Sequence, residues 1–293
     1  MYKEIVEILK CPCCGTDLEL ITEKEENGEI IEGHLICAQK HTYRIFAGII
    51  DFGSREQENS NNWSELYQEL SYSELDSAID DRKSESQKKI EALFLNGITK
   101  KTSKLEKGFL LDVASGRGML LRKLLETTNE QVHIISCDLS FQVLMYDRIK
   151  LTNENPKIKI SYIACDATNL PFKNGSIDMV CTFAGFLNMG NLMEKGIIEA
   201  ARVLKPTCSL INSVMYMREY TPGYQKVKKI LEENGMAPMA QYLLRERLLE
   251  IHENIFKKVS DQVTYEGIGE ALDGDLLPYD GEWFADAVIT AEK

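Results

Sequence analysis

Residues 107–128, KGFLLDVASGRGMLLRKLLETT, constrain what this chain can fold into more than any other stretch. Phe109 to Val113 is an apolar run of strand length, and Leu120, Leu121, Leu124 and Leu125 then recur at the spacing of one helix face. Between them Ala114-Ser115-Gly116-Arg117-Gly118 leaves room only for a tight turn. A strand that passes through a short turn into an amphipathic helix predicts a parallel sheet with helices on both faces, and ligands of such sheets bind at the carboxyl ends of the strands. Glycines in the turn let a ligand approach the backbone closely, and the unpaired N–H groups at the helix start favour anionic groups. A nicotinamide-binding turn would carry a third glycine at position 121, where this chain has Leu121, and Asp112 stands at the strand end ahead of the glycines. That arrangement fits a cofactor with a cationic amine better than one with a pyrophosphate.

The alternation continues. VHIISCDLS is a second strand ending in Asp138, where a carboxylate can accept both hydroxyls of a ribose. ISYIACDATNLPF gives a third strand ending at Asp166 and an LPF turn, and Ile177 to Phe183 a fourth strand. EAARVLKPTCSLINSVM supplies a helix, a turn at Lys205-Pro206 and a fifth strand. The alternative for the acidic residues is local: Asp112 and Asp166 as helix caps, Asp138 as a turn aspartate beside Ser140. Their placement at three strand ends in order favours a shared ligand.

These elements resemble the class I S-adenosylmethionine-dependent methyltransferases, in the branch that includes the quinone and small-molecule enzymes. LDVASGRG, CDLS, CDATNLPF, SIDMV and RVLKP carry the resemblance over about residues 108–216, in the family's order. It implies an α/β, Rossmann-like fold: a mostly parallel seven-stranded sheet whose last hairpin is antiparallel, here formed from the C-terminal VTYEGIGEALDGDLLPYDGEWFADAVITAEK. It also implies that Asp112 holds the methionyl amine through water, that Ala114, Gly116 and Gly118 form the turn beneath S-adenosyl-L-methionine, and that Asp138 binds its ribose. Leu139 would then pack on the adenine, Asp166 and the Ala167 backbone would read the adenine edge, and Phe183 would lie near the reacting centre. Ala114 departs from the family's more usual first glycine.

A second feature lies at the amino end. CPCCGTDLEL places Cys11 and Cys14 in a Cys-x-x-Cys knuckle shaped by Pro12 and Gly15, and Cys37 and His41 follow at Cys-x-x-x-His spacing. Together they predict a tetrahedral Cys₃His site for a structural zinc ion (Zn2+), which a module of about 50 residues with a small core has reason to use. Unmetallated thiols in a β-hairpin module, or a redox Cys-x-x-Cys, are the alternatives, and Cys13 is the spare thiol. Cys137, Cys165, Cys181 and Cys208 sit in apolar runs and read as core residues. IVEILKCPCCGTDLEL with GHLICAQKHTYRIFAGIIDF resembles the zinc ribbon that serves as a small partner of RNA and protein methyltransferases, and the ribbon of 23S rRNA guanine-N1 methyltransferases.

The predicted organisation is a zinc-ribbon domain over 1–53, a linker with helices over 54–107, and a cofactor-binding domain over 108–293 with a helical insertion at about 217–258. DFGSREQENSNN reads as linker; two helices follow from about Ser64-Glu65, with Trp63, Leu66 and Tyr67 packed on the next domain and Trp63 or Tyr67 as alternative covers for a cofactor. The insertion, broken near Gly235 and Pro238, is placed to act as a lid over an acceptor. Its Lys226, Lys228 and Lys229 read as a solvated face, or as a site for an acidic substrate.

The formal net charge is −12, and residues 1–53 hold five Lys and Arg against ten Asp and Glu, so neither offers a field suited to nucleic acid. A cytoplasmic protein without membrane insertion is expected, since no apolar run approaches membrane-spanning length and the start lacks a signal-peptide pattern. Three functions remain in play: methyl transfer to a small-molecule acceptor, the first choice; methylation of an rRNA base, suggested by the ribbon; and a non-catalytic scaffold in which the ribbon recruits a protein partner. TFAGFLNM stands after the fourth strand in place of an Asn-Pro-Pro-Tyr-type motif, which argues against many amino-group methylators. Displacement at a sulfonium demands no dedicated base. Asn188, Tyr216 and Tyr220 are candidates for orienting an acceptor, each with a structural alternative, while His133 and His252 receive no role and His34 is placed on the ribbon surface.

Overall fold

The computed structural model describes residues 1–53, 72–151, 153–271 and 276–293. Trp63, the Ser64-Glu65 helix start, Leu66 and Tyr67 lie outside these residues. Within them the strands are β1 (Leu18–Glu26), β2 (Glu29–Cys37), β3 (Thr42–Phe46), β4 (Ile49–Asp51), β5 (Gly108–Val113) and β6 (Val132–Asp138). They continue with β7 (Lys159–Ala164), β8 (Ile177–Thr182), β9 (Leu204–Met217), β10 (Lys258–Ile268) and β11 (Trp283–Glu292). The helices are α1 (Tyr72–Arg82), α2 (Glu85–Thr102), α3 (Met119–Thr127), α4 (Phe141–Leu151), α5 (Met193–Val203), α6 (Pro222–Glu233) and α7 (Arg245–Glu253).

All the strands join one sheet in the order β1-β2-β3-β4-β7-β6-β5-β8-β9-β11-β10. From β7 to β9 neighbours run parallel, and β11 enters antiparallel between β9 and β10. The expected parallel core closed by an antiparallel hairpin is therefore present. One face of it buries Leu110, Ile134, Cys181, Ile211 and Val288 together with Leu120, Leu121, Leu124, Phe94 and Ile98 from α3 and α2. The other buries Leu111, Val180, Leu210 and Ile289 with Ile197 and Ala200 of α5 and Leu248 and Ile251 of α7. Each such side chain contributes about 1.5–3 kcal/mol through area removed from water. Ser84 starts α2 with a reciprocal capping box to Gln87.

The amino-terminal module is joined to this core rather than tethered beside it. β4 pairs in parallel with β7, Ile50 opposite Ile163, which extends the sheet by the four strands of the module. Met1, Ile5 and Leu9, all 0% exposed, share one core cluster with Leu111, Ile163 and Phe172. Glu29 of β2 receives both guanidinium nitrogens of Arg148 on α4, at 2.6 and 2.8 Å. A module docked in this way has more apolar burial than its length alone implies.

One local expectation is corrected. Lys205-Pro206 forms no turn: it lies inside β9, which begins at Leu204. Pro206 lacks a ladder N–H and Thr207 has φ 65°, so the strand continues through an irregularity, seen as a register shift between Ile177 and Met179 on β8.

Candidate functional site

Three consecutive strand ends and one turn build the site. β5 delivers Asp112 at its buried end, and the chain then passes through Ala114, Gly116 and Gly118 at φ 53°, 56° and 70°. Glycine adopts that conformation freely, whereas Ala114 holds it at a cost of about 1–2 kcal/mol. At Gly118 space is short as well as φ unusual: an added Cβ would lie 2.8 Å from Oδ1 of Asp147. The Ser115 N–H bonds Cys137 O and the Gly116 N–H bonds Oδ2 of Asp138, so the second strand end holds the turn in place. From above, Asp76 of α1 ion-pairs with Arg117 at 2.9 Å and Lys150 at 3.1 Å, while Lys150 also donates to the Arg117 carbonyl.

Asp112 is the electrostatic centre of this arrangement. It is fully buried, and among the described residues neither carboxylate oxygen has a hydrogen-bond partner. Burial first, then Asp147 and Asp138, push its carboxyl well above the usual range. Such a group is stable only as the neutral acid or with a cation beside it. An ammonium next to Asp112, above a turn of left-handed residues, would supply that cation, so these residues fit a ligand carrying an amine. Asp147 on α4, fully buried 3.2 Å from Lys150 and raised to about 8 by burial, adds to the local excess of acid.

Asp138 is 5% exposed and its Oδ1 accepts the Ser140 N–H, the local turn contact weighed as its alternative role. Leu139 beside it is 36% exposed, an apolar surface at the strand end. Asp166 is exposed and accepts the N–H and hydroxyl of Thr168 through Oδ1, again a turn contact, with Ala167 half-buried next to it. Phe183, just past β8, packs edge-on to Phe94 of α2 with ring centroids 5.4 Å apart. The sequence reading missed three residues that shape this corner. Thr182 donates to the Val113 carbonyl, Ser213 accepts the Ala184 N–H, and Gly185 lies so close to Ala114 that a Cβ would sit 2.8 Å from its methyl group.

The acceptor-orienting candidates do not converge here. Tyr216 pairs with Ala285 on the sheet face opposite Asp112 and donates to Asp261; Tyr220 is 83% exposed; Asn188 is exposed on a short helical turn. His133 and His252 are buried and bonded to Ser161 and to Asn212 and the Leu248 carbonyl, and His34 pairs with Glu23. Lys228 and Lys229 lie within 4 Å of Glu232 and Glu233 along exposed α6, a solvated face. A cleft of about 520 Å³ lined by Tyr216, Arg218, Arg245 and Trp283 opens beside β9 and β11, and none of the residues read as cofactor-holding lines it.

The amino-terminal module brings the ligand-type atoms of Cys11, Cys14, Cys37 and His41 within 4.8 Å of one another. Cys14 and Cys37 sulfurs are 3.6 Å apart, and Nδ1 of His41 is 3.5 Å from Cys11 and 3.3 Å from Cys37. A tetrahedron with metal–sulfur bonds of about 2.3 Å has edges of about 3.8 Å, so the cluster has the right size. The Tyr43 hydroxyl lies 3.0 Å from the Cys11 sulfur, an outer partner that sequence spacing did not reveal, and Cys13 is exposed outside the cluster. The knuckle rests on the loop after Asp166: Asn169 donates to the Pro12 carbonyl, Lys10 N–H to Pro171, and Phe172 bridges to Leu9.

With that geometry in hand, comparison with known proteins gives consistent results. The family model described as "Methyltransferase domain" matches residues 110–207. The "Ubiquinone/menaquinone biosynthesis C-methyltransferase UbiE" of Wigglesworthia glossinidia brevipalpis is 31% identical over 124 residues, 42% of this chain and 47% of that protein. Its counterpart from Francisella tularensis subsp. novicida is 32% identical over 97 residues, 33% of this chain and 38% of its own. The chain thus spans about half or less of the length of these curated relatives. Among solved structures, Bacillus subtilis YcgJ superposes with TM-score 0.51 at 14% identity, over 68% of this chain and 97% of that one. Haemonchus contortus phosphoethanolamine N-methyltransferase 2, in complex with S-adenosylhomocysteine, gives 0.51 at 17%, over 67% and 52%. The [4+2]-cyclase SpnF also gives 0.51 at 17%, over 72% and 84%. The fold is the Rossmann-like methyltransferase fold, and a cyclase among the neighbours shows that this fold does not by itself dictate the reaction.

Proposed function

We propose that this protein is an S-adenosylmethionine-dependent methyltransferase acting on a carbon atom of a small-molecule acceptor, with a structural zinc in its ribbon. The observation that carries the reading is Asp112, a fully buried carboxyl without a partner among the described residues, at the end of the strand that feeds a left-handed glycine turn. When bound, S-adenosylmethionine supplies an electrophilic methyl group on a cationic sulfur. Asp112 would hold its ammonium, Asp138 its ribose hydroxyls, and Leu139 and the Asp166-Ala167 corner its adenine. Phe183 and Phe94 keep water from the neighbouring space, and alignment with desolvation supplies most of the rate.

A small carbon acceptor is supported by the names of the relatives, which are C-methyltransferases, and by the net charge of −12. The ribbon would serve as a brace: it fixes the 166–172 loop from behind, and Cys11, Cys14, Cys37 and His41 would bind the zinc that holds its knuckle. Incubating the protein with methyl-tritiated cofactor and cell extract, then separating metabolite, RNA and protein fractions, tests the acceptor class. Label in the metabolite fraction is expected, and label confined to RNA overturns the small-molecule assignment.

A further inference from the structure

The corner just past β8 is held in a conformation that its own residue disfavours. Ala184 has φ 55°, in the left-handed region where a Cβ crowds the following carbonyl, and it comes immediately after Phe183. Non-glycine residues stay in that region where the surrounding structure over-determines them, and they concentrate at functional sites. Here the holding group comes from a different strand: Ser213 of β9, fully buried, accepts the Ala184 N–H at 2.6 Å. That bond and the backbone cost are of the same order, so without the hydroxyl the N–H loses this partner and the strain is unopposed.

Strand register places the corner beside the glycine turn. Asp112 lies opposite Cys181 and Cys181 opposite Ile211, so Phe183 and Ser213, each two residues further along, share their sheet face. Phe183 is then one strand across from Asp112 and two residues beyond it, about 8 Å in all. Its ring packs on Phe94 of α2. Two further contacts join the corner to the turn. Thr182 Oγ1 accepts the Gly185 N–H at 3.1 Å while donating to the Val113 carbonyl at 2.8 Å, and a Cβ on Gly185 would lie 2.8 Å from that of Ala114. The two left-handed corners therefore abut through Gly185. Any relaxation of the Phe183–Ala184 peptide shifts the Phe183 ring or presses Gly185 into the turn.

We infer that Ser213 is a positioning residue for methyl transfer: acting through the Phe183–Ala184 peptide, its hydroxyl fixes the wall of the space in which an acceptor meets the cofactor's methyl group. Asp112 and Asp138, the carboxylates read as holding the cofactor, stand on other strands, so the effect of Ser213 falls on transfer rather than on cofactor binding. The inference rests on the reading of the strand-end site as a cofactor site.

The test compares the wild type, Ser213→Ala and the double variant Ser213→Ala with Ala184→Gly. Glycine takes the left-handed conformation freely, so it restores the corner without restoring the hydroxyl. Two quantities are read: the initial rate at which label from saturating methyl-tritiated S-adenosylmethionine enters acceptors in cell extract, and S-adenosylhomocysteine affinity by calorimetry. Ser213→Ala is expected to lower the rate by about tenfold or more, since small displacements near a reacting centre are costly, and to leave the affinity within about threefold. The double variant is expected to recover to within about threefold of the wild-type rate. A packing defect at position 213 would persist in the double variant, so a rate there no higher than in Ser213→Ala overturns the inference. An unchanged rate in Ser213→Ala, or a loss of affinity as large as the loss of rate, overturns it too. A wild type that binds S-adenosylhomocysteine but passes on no label leaves no transfer for Ser213 to serve and also defeats its role, whereas a wild type that does not bind that compound defeats the cofactor reading itself.

Discussion

Replacing Asp286 with asparagine should stabilise the protein, by an amount that grows with pH. Asp286 is buried, its Oδ1 has no hydrogen-bond partner among the described residues, and its carboxyl is raised from 3.8 to about 7 by desolvation. At about 1.36 kcal/mol per pKa unit, ionising it in the folded chain costs about 4 kcal/mol more than in the unfolded chain. The sign follows from the raised folded value: the stability contributed by the neutral acid is fully present below the unfolded pKa and is lost as pH rises towards 7. Asparagine stays neutral throughout and loses nothing. The stability difference, variant minus wild type, should thus rise across the interval from about pH 4 to pH 7 and level off near 4 kcal/mol. Asp112 and Asp147 titrate in both proteins and cancel from the difference. Urea unfolding of both proteins at half-unit pH steps measures it, and 4 kcal/mol corresponds to a midpoint shift of more than about 1 M. A difference that does not change between pH 4.5 and pH 8 refutes the claim that Asp286 ionises alone in an apolar environment.

Gly118→Ala should cost at least about 1–2 kcal/mol from φ 70° alone, with further loss from the 2.8 Å approach to Asp147, and should weaken cofactor binding more than tenfold by calorimetry. Arg148→Ala leaves Glu29 without its fork of two bonds but still paired with the Met1 ammonium, and chemical unfolding should show a loss of about 1.5–3 kcal/mol. Cys37→Ser should remove stoichiometric zinc, read by elemental analysis, and weaken cofactor binding severalfold because the ribbon braces the loop after Asp166; unchanged metal content contradicts the assigned ligand set. Asp138→Ala should both lose ribose contacts and free the Gly116 N–H, so calorimetry should find cofactor affinity reduced by about tenfold or more.

Much of the fold was legible because its strands are buried on both faces and its helices keep one apolar stripe. β5, the glycine turn and α3 follow directly from residues 109–125, and the closing hairpin from two alternating runs at the carboxyl end. The docking of the amino-terminal module was not legible: β4 is three residues long, Ile49–Asp51, too short for any periodicity to announce its pairing with β7. Chain position also misled at Tyr216. Proximity to a strand end suggested the site, but the two-residue period of β9 turns Tyr216 to one face and Met215 to the other. The buried acids were visible in principle. Asp147 interrupts the apolar stripe of Leu144 and Leu151, and Asp286 interrupts the run from Phe284 to Ile289, and a charge at an apolar position is the signal that would have found them.

The central claim is that the tips of β5, β6 and β7 hold one adenosyl ligand around an unpaired carboxyl. Isothermal titration of S-adenosylmethionine into the wild type and into Asp112→Asn, at matched pH and salt, addresses it without knowledge of the acceptor. One site per chain is predicted in the wild type, with affinity reduced by about tenfold or more in the variant, where no charge faces the ammonium. No measurable heat with the wild type, or equal affinity in the two proteins, contradicts the account.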